Sequence, residues 1–274
     1  MKGNLYVIST PIGNLGDITL RAVETLKEID LIAAEDTRHT LKLLNHLEIS
    51  KPLISYHRHN ENYKTEILIE KLNKGENIAL VSDAGTPGIC DPGEEVIKKC
   101  IEEEIVVIPI PGACALVASL ICSGLDTKEF CFLGFLPLNK KLRKQKMDNI
   151  EKESKTIVLY EAPHKLKTTL KELEKLLKDR KVVLAKEITK MHEEFIRGTT
   201  NEVLANLPEN VKGEHVIIIE GNNIQEEQKE EFDTLEEEYN CYEKQGLEKK
   251  EIIKKIAKNK GVNKNEIYQR FLKD

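Results

Sequence analysis

Apolar positions in the first 110 residues fall into short runs of about four or five, each followed by a segment with helical spacing. LYVIS, LIAAE, PLISYH, IALVS and IVVIPI read as strands; ITLRAVETLKEI, TLKLLNHL, residues 61–74 and EEVIKKCIEE read as helices. Short strands rich in Val, Ile and Leu that alternate with helical segments imply a mostly parallel sheet covered by helices on both faces. Pro109 and Pro111 end the last of these strands, and the small-residue segment ACALVASLICSG leads into a second cycle. That cycle reads FCFLGFLP, a basic helix over 140–152, TIVLYE, a helix over 163–177, VVLAKEI, EEFIRG, a short helix and HVIIIEG. Adjoining strands with short links in this stretch predict a mixed sheet with some antiparallel pairing. The expected fold class is α/β, with one lobe over residues 1–112 and a second over 113–222.

After Gly221 the apolar periodicity stops. From Glu226 to Glu238 there are eight acidic residues and one lysine, so residues 223–243 are expected to form an acidic linker, or over about 222–240 a poorly packed helix. Residues 244–274 are expected to form a small basic helical domain. There LEKKEIIKKIAKNKG sets Leu247, Ile252, Ile253 and Ile256 at helical spacing, ends at Gly261, and is followed by VNKNEIYQRFLK, a helix-turn-helix-like tail. From Lys244 to Lys273 ten basic residues stand against three acidic ones. Such a patch suits a polyanion, although a solvated lysine-rich face explains it about as well.

Composition narrows the class further. With 40% hydrophobic and 32% charged residues, the 274-residue chain reads as a soluble globular protein. No apolar run approaches a membrane span and no leader architecture precedes the first strand, so no membrane contact and a cytoplasmic location are expected. The six cysteines form no CxxC pair, which favours free thiols over disulfides or zinc.

The densest candidate chemistry lies in LVSDAGTPGICDPG, where Asp83 and Asp91 stand among Gly85, Gly88 and Gly93 just past a strand. Glycines let backbone approach a ligand closely, and a carboxylate there accepts hydrogen bonds from hydroxyls or an ammonium group. Asp91 has a plainer reading as the cap of a helix starting at Pro92. The loop STPIGNLGDIT carries Pro11, Gly13 and Gly16 in neither GxGxxG nor P-loop spacing, so neither nicotinamide nor triphosphate binding is supported. Two further strand ends carry ionisable clusters: Glu35, Asp36, Arg38 and His39 in AAEDTRHT, and His57, Arg58, His59 and Asn60 in SYHRHNEN. A helix cap at Asp36 or Thr37, with Arg38 paired to a carboxylate, is the plain alternative for the first. His57 and His59 lack further ligands at a recognisable spacing, so no metal is expected. YEAPHK and AKEITKMHEE add Glu161, His164, Lys186 and Lys190 in the second half.

LYVISTPIGNLGDITLRA, AAEDTRHT, SYHRHNE, VSDAGTPGICDPG, PIPGACALVASL, FLGFLP, YEAPHK and AKEITKMHEEFIRG, in this order, resemble the ribosomal RNA small subunit methyltransferase I group of the tetrapyrrole methylase class. The resemblance spans about residues 3–221. It implies two α/β lobes with an S-adenosylmethionine cleft between them, usually in a homodimer. It also implies 2′-O-methylation of a decoding-region cytidine (position 1402) of 16S rRNA within the small ribosomal subunit, with no DNA partner. By the family's pattern, cofactor contacts fall on Pro11, Gly13, Asp83, Ala84, Gly85, Thr86, Ala113 and Cys114, with Tyr160 and Ala185 from the second lobe.

A ribose hydroxyl needs its proton removed as it attacks. Asp36, His57, Glu161 and Lys186 are the candidate bases, and residue types alone do not choose among them. Asp36, Arg38, His57 and Asn60 are expected at the acceptor side. RNA phosphates are expected to meet Lys140, Lys141, Arg143, Lys144 and Lys146 and the basic tail. Alternatives are a tetrapyrrole or protein side-chain methyltransferase of the same class, or a non-catalytic RNA-binding protein.

Overall fold

The computed structural model describes residues 1–222, 232, 234–244, 246–260 and 262–271, which form two compact units, 1–222 and 223–274. The first unit holds two sheets. Its N-terminal sheet consists of β1 (Leu5–Ile8), β2 (Leu31–Ala34), β3 (Leu53–Ser55), β4 (Ile78–Val81) and β5 (Val107–Ile110), all parallel in the order β3-β2-β4-β1-β5. Helices α1 (Leu20–Glu28), α2 (Thr37–His46), α3 (Glu61–Asn73) and α4 (Glu94–Glu102) connect them.

The apolar runs are explained by burial on both faces. Leu31, Ala33, Ile78 and Leu80 pack with Leu68, Leu72, Val96 and Cys100 from α3 and α4. Their neighbours Ile32, Ala34, Ala79 and Val81 pack with Ala22, Leu26 and Leu44 from α1 and α2. Thr19 caps α1 by accepting from the Ala22 amide at 3.2 Å. The cap of α4 is Gly93, and the helix begins at Glu94; Asp91 is therefore not its cap, contrary to the sequence expectation. Gly93 sits at φ 143°, and a Cβ there would stand 2.9 Å from Leu80 Cδ2, so the chain enters the helix through a glycine pressed onto β4.

The second sheet consists of β6 (Phe130–Phe135), β7 (Thr156–Glu161), β8 (Lys181–Lys186), β9 (Glu194–Thr199) and β10 (His215–Ile219), in the order β6-β7-β10-β8-β9. Only β6–β7 is parallel; the other three pairings are antiparallel, the mixed sheet expected from sequence. The intervening helices are α5 (Ala115–Ile121), α6 (Lys140–Lys152), α7 (Pro163–Leu177) and α8 (Thr200–Ala205). One face packs on α6, α7 and α8 through Ile157, Leu159, Leu184 and Ile217. The other face, with Val158, Val183, Ala185, Val216 and Ile218, packs on Leu120 of α5 and on Ile12, Ala84 and Ala113. That seam joins the two lobes.

The 223–274 unit contains α9 (Leu235–Lys244), α10 (Lys249–Lys260) and α11 (Lys264–Arg270). Of the two readings for this stretch, a helix forms from Leu235 and is packed, because Leu235, Tyr239 and Tyr242 supply an apolar stripe that packs with Ile252, Ile253, Ile256 and Ile267. Residues 223–231 and 233 of that acidic stretch, Gly261 of the expected turn and Lys273 lie outside the described residues. No helix among the described residues is long and apolar enough to cross a membrane.

Candidate active site

The loops after β1, β4 and β5 are bolted into one floor. Thr10 and Gly85 exchange backbone hydrogen bonds of 2.9 and 3.0 Å, and the Ser9 and Thr86 hydroxyls lie 2.9 Å apart. The Thr86 hydroxyl also donates to the Ala113 carbonyl at 3.3 Å. Gly85 adopts φ 82°, which other residues reach only with strain. Above this floor lies a cavity of about 450 Å³, in the range of small-molecule sites. Ile12, Glu35, the segment Asp83–Thr86, Ile89, Cys90 and Asp91 line it from the first lobe. Cys114 and Ala115 at the start of α5 and Phe135, Tyr160, Glu161, Ala162, Ile188 and His215 line it from the second.

The first-lobe wall is acidic. An Asp83 carboxylate oxygen accepts from the Asp36 amide at 3.0 Å, and the Asp83 amide donates to Glu35 at 3.4 Å. Burial raises the Glu35 carboxyl above its usual range, against the opposing effect of the hydrogen bond from the Asp83 amide. Asp91 is pushed up to about 6, first by burial and then by the Glu35 charge, against the opposing pull of Arg58. Opposite them, the Tyr160 hydroxyl accepts from the Leu116 amide at 3.0 Å and anchors the first turn of α5. Burial raises the Tyr160 phenol, which keeps it neutral.

Of the cofactor contacts expected from sequence, Asp83, Ala84, Gly85, Thr86, Cys114 and Tyr160 line the cavity together. Four stand elsewhere: Ala113 lends its carbonyl to Thr86, and Ala185 is wholly buried in the seam. A Cβ on Gly13 would lie 2.4 Å from Lys190 Cγ, so that glycine lets the β1 loop pack on the second lobe. Pro11 is not a lining residue, its neighbour Ile12 is.

The expected acceptor-side residues Asp36, Arg38, His57 and Asn60 are all absent from the cavity lining. Asp36 is the cap of α2, accepting from the Arg38 amide at 2.9 Å, and its carboxylate pairs with the Arg38 guanidinium at 2.7 Å. The hydrogen bonds from Arg38 hold the Asp36 carboxyl far below the carboxylate range, which makes it a weak proton acceptor. Asn60 accepts from the His57 amide at 2.8 Å, and its side-chain nitrogen lies 3.1 Å from His57 Nε2, a local turn ahead of α3. Glu35 and Asp91, named among the candidate polar residues but not among the expected cofactor contacts or bases, line the cavity together with Asp83 and Glu161. Glu35 precedes a helix cap in a run of polar residues, and a DPG triplet resembles a helix start whether or not the aspartate caps it.

Arg143 also departs from expectation. Its guanidinium reaches Glu172 and Thr169, each at 2.8 Å, and Thr169 donates to the buried Glu161 at 2.5 Å. It serves the α6–α7 contact rather than facing solvent. Arg143→Ala is expected to cost about 1–3 kcal/mol of stability in denaturant titration while leaving the salt dependence of RNA binding unchanged.

Two lobes whose strands end at a shared acidic cleft, with glycine loops but no phosphate cradle, define a recognisable class. Residues 4–204 match the Tetrapyrrole (Corrin/Porphyrin) Methylases, and the chain belongs to that family. Among its relatives are proteins named Ribosomal RNA small subunit methyltransferase I. The one from Synechocystis sp. is 48% identical, over 97% of this chain and 96% of its own. That from Halalkalibacterium halodurans is also 48% identical, over 97% and 94%. The fold is shared with uroporphyrin-III C-methyl transferase from Thermus thermophilus, solved with S-adenyl homocysteine: TM-score 0.57, 17% identity, 79% of this chain and 97% of that one.

Proposed function

We propose that this protein transfers the methyl group of S-adenosylmethionine to the ribose 2′-hydroxyl of a decoding-region cytidine in 16S rRNA, acting as a homodimer on the small ribosomal subunit. The observation that carries the reading is the acid-walled cavity between the lobes, in a chain nearly half identical to proteins named for small-subunit rRNA methylation. When bound, the donor supplies a methyl already activated on a sulfonium; it carries positive charge and no phosphate. Asp83 and Glu35 suit the charge, and the Gly85 backbone lets the donor lie close.

The chain's own contribution is orientation and proton removal. As the ribose oxygen attacks, a new O–C bond forms, the methyl–sulfur bond breaks, and the hydroxyl proton passes to a carboxylate. Asp91, with Glu35 beside it, fits that role better than Asp36: both line the cavity, and a carboxyl raised toward neutrality accepts a proton more readily than one held down by an arginine.

The test is mass spectrometry of small-subunit rRNA from cells with and without this gene. Loss of one ribose methyl is expected, and its restoration by purified protein acting on particles from the deleted strain. An unchanged methylation map would overturn the reading. The α9–α11 unit is assigned to phosphate contacts through exposed Lys249, Lys250, Lys254 and Lys264. Removing residues 223–274 is expected to weaken binding to small-subunit particles and flatten its salt dependence, with cofactor affinity intact in calorimetry. An unchanged salt slope would count against this assignment.

A further inference from the structure

A regular strand turns alternate side chains to opposite faces, so Phe132 and Phe135 of β6 should point apart. They do not. The pairing with β7 shifts between Phe132 and Gly134, so that Val158 faces Phe132, Leu159 faces Gly134 and Tyr160 faces Phe135. Leu133 is the extra residue of a bulge, and Gly134 takes φ 62°. A Cβ on Gly134 would meet the Cys90 sulfur at 2.8 Å, so glycine is also what the neighbouring loop admits. Cys131 before the bulge, Leu133 within it and Leu136 after it all pack in the helix-covered core.

The shift brings Phe135 round to the cleft. Its ring stands edge-on to Tyr160, with centroids 5.7 Å apart, while Phe132 holds Tyr160 at 4.9 Å on the same side. Phe135 lines the cavity yet keeps 53% of its surface exposed, with Ile89, also exposed, on the opposite lobe's rim. Lone exposed apolar residues are ordinary, but a bulge that re-aims an aromatic ring onto a cavity mouth is a built feature. Exposed cations lie on the loop after β3 and on the helix that follows β6. Arg58 is exposed and donates to the Cys90 carbonyl, and exposed Lys140, Lys141 and Lys144 follow on α6.

We infer that Phe135 is the face on which the nucleobase of the acceptor nucleotide stacks, with the flanking cations meeting its phosphates. The inference rests on the rRNA reading above and adds what holds the acceptor. A ribose hydroxyl reaches a methyl inside a cleft only if its nucleotide leaves the surrounding stack, and an aromatic platform at the mouth replaces the stacking lost. The positive sulfonium and ammonium of the donor suit the acidic wall of the first lobe, which leaves the second-lobe rim to the acceptor's base.

The test compares Phe135→Ala, Phe135→Tyr and the wild type on small-subunit particles from cells lacking this gene. The alanine variant is expected to raise KM for particles about tenfold or more. Cofactor affinity should stay unchanged, and tyrosine should restore the wild-type value. The chain contains no tryptophan, so Phe135→Trp also creates a single fluorescent reporter at the rim. Its emission is expected to be quenched on addition of those particles with S-adenosylhomocysteine present. Wild-type KM in the alanine variant, or an equal loss of cofactor affinity, would overturn the stacking while leaving the rRNA reading intact. Inactivity of the wild type on the particles would overturn the rRNA reading and this inference with it.

Discussion

Asp91→Asn is expected to lower single-turnover methyl transfer about 100-fold or more while raising the melting temperature at pH 8. The first effect is the loss of a proton acceptor, whose contribution is on the order of 10²–10⁴ in rate. The second follows from the same burial that tunes the group. The Asp91 carboxyl is raised from 3.8 to about 6, chiefly by desolvation and then by Glu35, so the fold favours its neutral form. A group raised in the folded state contributes its stabilisation at low pH and loses it as pH rises through the folded value. At pH 8 the wild type carries an ionised, half-buried carboxylate that asparagine does not have. The difference in melting temperature should therefore be widest above about pH 7 and close below about pH 4. The wild-type rate should rise with pH through about 6 and level off, and this acid limb should be missing from the residual activity of the variant. Wild-type rates in Asp91→Asn would remove this residue from the chemistry.

Asp83→Asn is expected to weaken S-adenosylmethionine binding about 10- to 100-fold in calorimetry, equivalent to roughly 1.5–3 kcal/mol for a hydrogen bond to a charged group. The amide is nearly isosteric, and its carbonyl oxygen still accepts from the Asp36 amide, so the start of α2 stays in place. What disappears is the negative charge on the cavity wall, which on the proposed reading faces the cationic donor. Asp83→Ala removes the acceptor as well and orphans the Asp36 amide, so it should add a loss of stability that asparagine spares. Equal donor affinity in Asp83→Asn and the wild type would assign Asp83 to bracing α2 alone.

The frame of both lobes was legible because strand and helix signals are local. Residues 140–152 and 163–177 spell their helices through a cap, Asn139, or a first-turn proline, Pro163, and through a repeated apolar face. The Asp83 loop was legible for a related reason: glycines and acids at a strand end satisfy no need of the core. Which acids point inward was not legible. Glu35 and Asp36 are adjacent, yet one lines the cavity and the other caps α2 and pairs with Arg38. Asp91 stands where a cap is expected, but Gly93 takes the cap and leaves its carboxylate to the cavity. The glutamates of α9 left linker and helix both open, since charge density obscures an apolar stripe that packing against α10 and α11 brings out.

The sequence by itself determined the α/β class, the two lobes and the glycine loop that lines the cavity, because backbone propensity, two-faced burial and glycine chemistry are written residue by residue. Tertiary structure alone decided which ionisable groups share a dry wall, and therefore which proton is poised near neutrality. Desolvation is a property of everything packed around a carboxylate, from strands and loops far apart in the chain. It likewise decided the direction of Phe135, since a one-residue bulge against β7 reverses every side chain after it while leaving the strand's composition unchanged.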